Sequence, residues 1–240
     1  MHGYGEGADD AVEVGGVCYS CRSAPMNVVL MGPPGVGKGT QSQSMRIALR
    51  VPHVSTGDIL RQAVQQDTAL GREARPFVES GKLVPDELMG DMIAERLGRK
   101  DARAGFILDG FPRTREQVVI LDRVLKQVGV RLDRVFMMTT PEFEIVRRLS
   151  GRRSCPKCGV VYHLESRPPA VQNVCDACGS ALVQRPDDAE DVIRQRLEVY
   201  GQQTLPVAEI YRSRGLLREV DGTGDAEIVF DRLKAELDEV

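Results

Sequence analysis

Short apolar runs alternate with amphipathic stretches along most of this chain. Asn27-Val-Val-Leu-Met31 is an apolar run stopped by Gly32, the pattern of a strand buried on both faces. Phe106–Leu108, Val135–Met138 and Leu216–Val220 repeat it. Between them, apolar positions recur at helical spacing over Lys38–Leu49, Asp86–Arg99, Arg115–Val128, Pro141–Leu149 and Asp188–Arg214, and Ala226–Leu237 closes the chain. Strands alternating with helices predict an α/β fold on a central parallel β-sheet. Two stretches break the rhythm. Ser55–Val84 is helical without a strand, and Gly151–Asp187 is rich in Cys, Pro and Gly. Both read as insertions, which divides the chain into a core of residues 26–54, 85–150 and 189–240, a helical insertion of residues 55–84 and a cysteine-rich insertion of residues 151–188. Residues 1–25 are Gly-rich and acidic and show no clear helical or strand period. They are expected to form a disordered tail, with Met26 a natural internal start.

Composition narrows the function classes. The chain has 240 residues and 42% apolar content, enough for a proper core. Its 32 bases against 35 acids leave −3, and without residues 1–25 the body carries 31 of each. A basic nucleic-acid binder is excluded in bulk. No uncharged apolar stretch reaches the ~18–20 residues of a membrane span. Acids stand where a signal peptide needs bases. The expectation is a cytoplasmic monomer without membrane or nucleic-acid partners.

Gly32-Pro-Pro-Gly35-Val36-Gly37-Lys38-Gly39-Thr40 lies between a predicted strand and a predicted helix, the context a phosphate-binding loop requires. Glycines let backbone N–H groups turn around phosphates, the helix start adds its positive dipole end, and Lys38 supplies a mobile cation. The common pattern has Ser or Thr straight after the lysine to hold Mg²⁺. Here Gly39 intervenes, so the metal is expected to be held through nucleotide oxygens and water, with Asp109 orienting that shell.

All six cysteines form C-x-x-C pairs. Cys18 and Cys21 supply two ligands where zinc wants four, and stay unassigned. Cys155-Pro-Lys-Cys158 and Cys175-Asp-Ala-Cys178, sixteen residues apart, have the spacing of a four-thiolate, zinc-ribbon-like site. Each pair is followed by a glycine suited to a turn around sulfur. Four protein ligands leave no open position, so a structural Zn²⁺ is expected, with iron and cobalt the other metals such thiolates take. His163 is a competing ligand.

Gly35-Val-Gly37-Lys38-Gly39-Thr40, Ser55-Thr56-Gly57-Asp58 and Asp109-Gly110-Phe111-Pro112-Arg113-Thr114 together resemble the adenylate kinase family, and the resemblance covers about residues 26–240. It implies a P-loop kinase with a helical NMP-binding insertion, a metal-binding lid over residues 151–188, and the reaction ATP + AMP ⇌ 2 ADP with Mg²⁺. It places AMP on Thr56, Arg61, Lys82, Leu83, Val84, Gly110, Phe111, Pro112, Arg113, Gln117, Arg185 and Arg196, with Gln117 on the base. It places ATP on Gly35–Thr40, Arg148, Arg152, Val161, Tyr162 and Gly224. Lys38, Arg113, Arg148, Arg152, Arg185 and Arg196 would supply catalytic cations, with Asp109 beside them. Arginine suits the task because its planar fork grips phosphate oxygens bidentately. Arg148 and Arg152 are expected one turn apart on a helix face. Asp187 and Asp188 would fasten the lid to its hinge; a cap for the helix from Ala189 is the other reading of the pair, compatible with the first. Two other readings stand beside this one. A related kinase would take UMP, CMP or GMP, and a zinc ribbon on a nucleotide switch would be a binding module. The latter fits less well, because Gly159–Val174 holds one base, Arg167, and one aromatic, Tyr162.

Overall fold

In the computed structural model, the structure describes residues 26–238 together with two short strands, β1 (Val12–Val14) and β2 (Val17–Tyr19). The sheet comprises β3 (Asn27–Met31), β4 (His53–Ser55), β5 (Phe106–Asp109), β6 (Arg134–Thr139) and β9 (Leu217–Asp221). Their order is β4-β5-β3-β6-β9 and every pairing is parallel.

The central strand shows why an unbroken apolar run is needed there. Val29 and Met31 turn to one layer, where they meet Ile93 of α4 (Asp86–Leu97), Leu121 of α5 (Arg115–Val128) and Tyr211 of α8 (Val207–Ser213). Val28 and Leu30 turn to the other, with Met45 of α1 (Lys38–Leu49) and Phe230 and Leu233 of α9 (Ala226–Asp238). Covered on both faces, β3 has no position for a polar side chain facing water. The strands share one direction, so the turns after β3, β5, β6 and β9 gather along one edge, where α/β sheets bind ligands.

Four differences from the sequence reading have physical causes. The edge strand β4 lies beside β5, three residues too short to show a period. The predicted helix Asp188–Arg214 is broken into α7 (Glu190–Val199), a π-helical turn over Tyr200–Thr204, and α8. Pro206, just before α8, has no N–H to continue the ladder. The helix carrying Arg148, α6 (Glu142–Ser150), stops at Gly151, so Arg152 belongs to strand β7 (Arg152–Ser154) and shares no helix face with Arg148. In the stretch expected to lack any period, β1 and β2 pair antiparallel, Val12 opposite Tyr19. Val-Glu-Val and Val-Cys-Tyr flank Gly15-Gly16, a hairpin signature. The rest of the tail expectation, Cys21 included, lies outside the described residues.

The helical insertion consists of α2 (Thr56–Gln65) and α3 (Ala69–Ser80). They touch backbone to backbone at Gly71, where a Cβ would stand 2.0 Å from the Ala63 carbonyl oxygen. In the cysteine-rich segment, β7 pairs antiparallel with β8 (Val161–His163), and Cys155, Tyr162, Cys175 and Leu182 form a small interior of their own. No helix among the described residues is long and apolar enough to cross a membrane.

Candidate active site

The phosphate-binding loop leaves β3 and enters α1 through Gly37, which caps the helix at φ 108°. Lys38 folds back over the loop, its Nζ donating to the carbonyls of Gly32 (2.8 Å) and Pro33 (2.9 Å). Burial pushes this ammonium down to about 8, and Arg113, Arg196 and Arg152 push the same way against the pull of Asp109. Asp109 ends β5 in register with Leu30 of β3, which sets its carboxylate beside the loop. Thr40 is exposed on the first turn of α1. Asp109 is the hard oxygen donor there that suits a hydrated divalent cation. His53 Nε2 lies 3.5 Å from Asp109 Oδ2. Sequence reasoning missed His53 because the strand that carries it was hidden.

Arginines from three elements, α2, β7 and α7, converge on Asp187 and Asp188, which sit in the 3₁₀ turn Pro186–Asp188. Arg152 grips Asp188 bidentately at 2.7 and 2.5 Å, and the aspartate side chain is fully buried. Arg196 lies 2.9 Å from Asp187 Oδ2, and Arg61 lies 3.7 Å from it. Arg185 Nε donates to Ser154 Oγ. Burial would raise the Asp187 carboxyl, but Arg196, Arg61, Arg152 and Arg185 outweigh it and hold the group below its usual range. Burial also holds the guanidinia of Arg113, Arg185 and Arg196 below theirs. Buried cations crowded this way are arranged for a polyanion. The capping expectation is corrected here. Helix α7 starts at Glu190 after Ala189, without any side-chain cap, and the two carboxylates hold guanidinia. Arg148 stands apart, its Nη1 donating to Val36 O and Gly222 O (both 3.1 Å) and its Nε to Glu144.

A second pocket opens between α2, α4 and α5, lined by Thr56, Arg61, Lys82, Leu83, Val84, Met89, Arg113, Gln117 and Arg196. Gly110 shapes its edge at φ +85°, where a Cβ would fall 2.6 Å from Thr56 Oγ1 and 2.9 Å from Arg113 Nη2. Only glycine admits both groups. Arg113 Nε donates to Gly110 O at 2.7 Å, and Thr56 Oγ1 to Asp109 O. Phe111 departs from expectation. Its side chain packs into the core between sheet and helices and does not line the cleft.

The remaining predicted residues, Gly35–Thr40, Arg148, Arg152, Val161, Tyr162, Arg185, Gly110, Pro112 and Gly224 with Asp109, line one continuous cleft of about 2210 Å³. That exceeds the ~300–1,000 Å³ of a single small-ligand pocket. Tyr162 turns its ring inward. Its hydroxyl accepts from Asp176 N–H at 2.9 Å and lies 3.6 Å from Cys175 Sγ, so the side chain serves the cysteine cluster.

In that cluster the Sγ atoms of Cys155, Cys158, Cys175 and Cys178 all lie within 4.8 Å of one another. Cys155 and Cys178 are 3.4 Å apart, and Cys158 and Cys175 3.5 Å. A tetrahedral site with metal–sulfur bonds of about 2.3 Å separates its sulfurs by about 3.8 Å, so the set fits a four-coordinate metal ion. The two knuckles are alike: Gly159 N–H donates to Cys155 O and Gly179 N–H to Cys175 O. His163 is no ligand. Its Nδ1 accepts from the N–H groups of Glu165 and Ser166.

A parallel sheet with a phosphate cradle on its central strand, facing an arginine-ringed second pocket, defines a P-loop kinase of phosphorylated small molecules. A family model of adenylate kinases matches residues 30–216. The adenylate kinase of Acidothermus cellulolyticus is 50% identical over 212 residues, 88% of this chain and 98% of the relative. That of Archaeoglobus fulgidus is 46% identical over 215 residues (90% and 99%), and that of Moorella thermoacetica 50% over 198 (82% and 91%). The chain belongs to the adenylate kinase family.

Proposed function

We propose that the protein transfers the γ-phosphoryl group of ATP to AMP, giving two ADP. A phosphate oxygen of AMP forms the new bond to Pγ, while the bond from Pγ to the β-phosphoryl oxygen breaks. ATP lies on Gly35–Thr40, Arg148, Arg152 and Gly224 and on the backbone at Val161 and Tyr162. AMP lies in the second pocket on Thr56, Arg61, Arg113, Gln117 and Arg196. The observation that carries this reading is the convergence of Lys38, Arg113, Arg152, Arg185 and Arg196 between the two pockets. Phosphoryl transfer needs fixed cations around the equatorial oxygens and shelter from water more than it needs covalent chemistry. Mg²⁺ bound with ATP supplies charge neutralisation at the β- and γ-phosphoryl oxygens, and Asp109 is the residue that would hold its water shell. Zinc is the metal proposed for the four thiolates, in a role confined to holding the lid's shape. Residues 151–188 act as that lid, residues 55–84 as the NMP-binding region and the rest from Met26 as the core. Cysteines without disulfides suit a reducing, cytoplasmic compartment, and a monomer completes the reading.

The test is ADP formation from ATP plus each of AMP, UMP, CMP and GMP, with Mg²⁺. AMP is expected to be the best acceptor by far, and an AMP rate no greater than ATP hydrolysis removes the proposal. The lysine adds a pH signature. Its charged form acts on phosphate, so kcat/KM for ATP is expected to fall as pH rises through about 8, where the free protein's Lys38 loses its proton. Lys38→Arg, which stays charged, is expected to lack that limb. A flat wild-type profile from pH 7 to 9.5 contradicts the assignment.

A further inference from the structure

Gln117 stands on the first turn of α5, 1% exposed, and faces the second pocket. Its carboxamide is held at both ends. Oε1 accepts from the Arg113 N–H at 2.7 Å, and Nε2 donates to Asp86 Oδ1 at 2.7 Å. Asp86, the first residue of α4, is itself fixed, because its other oxygen accepts from Thr114 Oγ1 at 2.9 Å. A carboxylate can only accept and a backbone N–H can only donate. The partners therefore determine which way the amide points.

We infer that Asp86 is a specificity-determining residue, which locks the Gln117 amide in the one orientation that reads a 6-aminopurine. A carboxamide has two N–H donors and two acceptor lone pairs. Asp86 and Arg113 take one of each, leaving one donor beside one acceptor for the base. Adenine offers the complement, an acceptor at N1 and a donor at the 6-amino group. A 6-oxopurine offers the reverse, N1–H and O6, and would need the amide turned over. Turned over, Oε1 would face the Asp86 carboxylate and Nε2 the Arg113 N–H, two buried mismatches. Sites whose buried polar groups would be left unpaired reject the wrong substrate by large factors. Asp86 thus acts through Gln117 without touching the nucleotide. The inference rests on the reading of AMP as acceptor with its base at Gln117.

The probe is IMP, which differs from AMP only in this donor–acceptor polarity and so separates it from size. With ATP as donor, kcat/KM is measured for AMP and IMP on wild type, Asp86→Asn and Asp86→Ala. Wild type is expected to favour AMP strongly. In Asp86→Ala the AMP-to-IMP ratio is expected to fall at least tenfold, IMP improving while AMP worsens, chiefly in KM. In Asp86→Asn it is expected to fall less, since Oδ1 of the amide still accepts from Gln117 while Nδ2 donates to Thr114 Oγ1. A merely structural role lowers both substrates together, and an Asp86→Ala ratio within twofold of wild type overturns the inference. So does a wild type that phosphorylates AMP and IMP equally well. A wild type that phosphorylates neither removes the kinase reading itself, and this inference with it.

Discussion

Lys38→Ala is expected to lower kcat by roughly 10²–10³-fold, the range seen when one preorganised charge stabiliser is removed, while the melting temperature stays level or rises. The two halves have one origin. The ammonium lies in the cleft against two carbonyls, with Arg113, Arg152 and Arg196 repelling it and Asp109 attracting it. Burial depresses its pKa, which means the folded state tolerates the charge less well than water does. Removing the group relieves that tension, so stability does not suffer. Catalysis is expected to, because in the proposed reaction the same charge would face the transferring phosphoryl oxygens. Steady-state kinetics and a thermal melt on one preparation decide the matter. A variant that melts many degrees lower places Lys38 among structural residues, and a folded variant with a near-normal rate ends its catalytic role.

Stripping the metal from the cysteine-rich segment, or Cys155→Ser, is expected to lower the melting temperature by about 8–16 °C. A ligand present at ~1,000 times its Kd stabilises the folded state by about 4 kcal/mol, and 1 kcal/mol shifts a domain of this size by roughly 2–4 °C. The segment cannot replace that contribution from packing, for its interior is little more than two cysteines, Tyr162 and Leu182. At temperatures where the stripped protein is folded, phosphoryl transfer is expected to persist, since Lys38 and the arginines are untouched. Elemental analysis with melts before and after chelation is the measurement. Native protein without metal, and indifferent to chelation, rules the site out. A stripped protein that is folded but inactive in the presence of Mg²⁺ gives the metal a part in the chemistry.

Much of the fold and of the site was legible because its signals are local. The apolar run 27–31, the glycines of the loop and the helix over 38–49 are contiguous, and their predicted bounds coincide with β3 and α1. The bounds of α5 do so as well. The four cysteines carry their pairing in their spacing. What stayed hidden depends on distant partners. His53 sits on a three-residue edge strand with one buried position, which no periodicity reveals. Asp187 and Asp188 were expected to fasten the lid by resemblance, with a helix cap as the local alternative, but the arginines at residues 61, 152 and 196 that claim their carboxylates are too distant in sequence to be read from it. Asp86 and Gln117 lie 31 residues apart on different helices, with nothing in the intervening sequence to pair them. The hairpin β1–β2 is the opposite case. Its alternation across Gly15-Gly16 was in plain view, and glycine-rich acidity overshadowed it.

The Arg152–Asp188 pair also has a meaning in chain entropy. It joins residues 36 apart at the neck of the segment, while the cysteines tie positions 23 apart within it. The two closures are nested. With the inner one made, the gap left for the outer shrinks to about 13 residues, and the logarithmic cost of closing a loop falls by roughly 1 kcal/mol. Neck and metal therefore favour each other by about that amount without touching. Loosening the ion pair weakens metal retention, and losing the metal weakens the Arg152–Asp188 pair by the same small amount without releasing it.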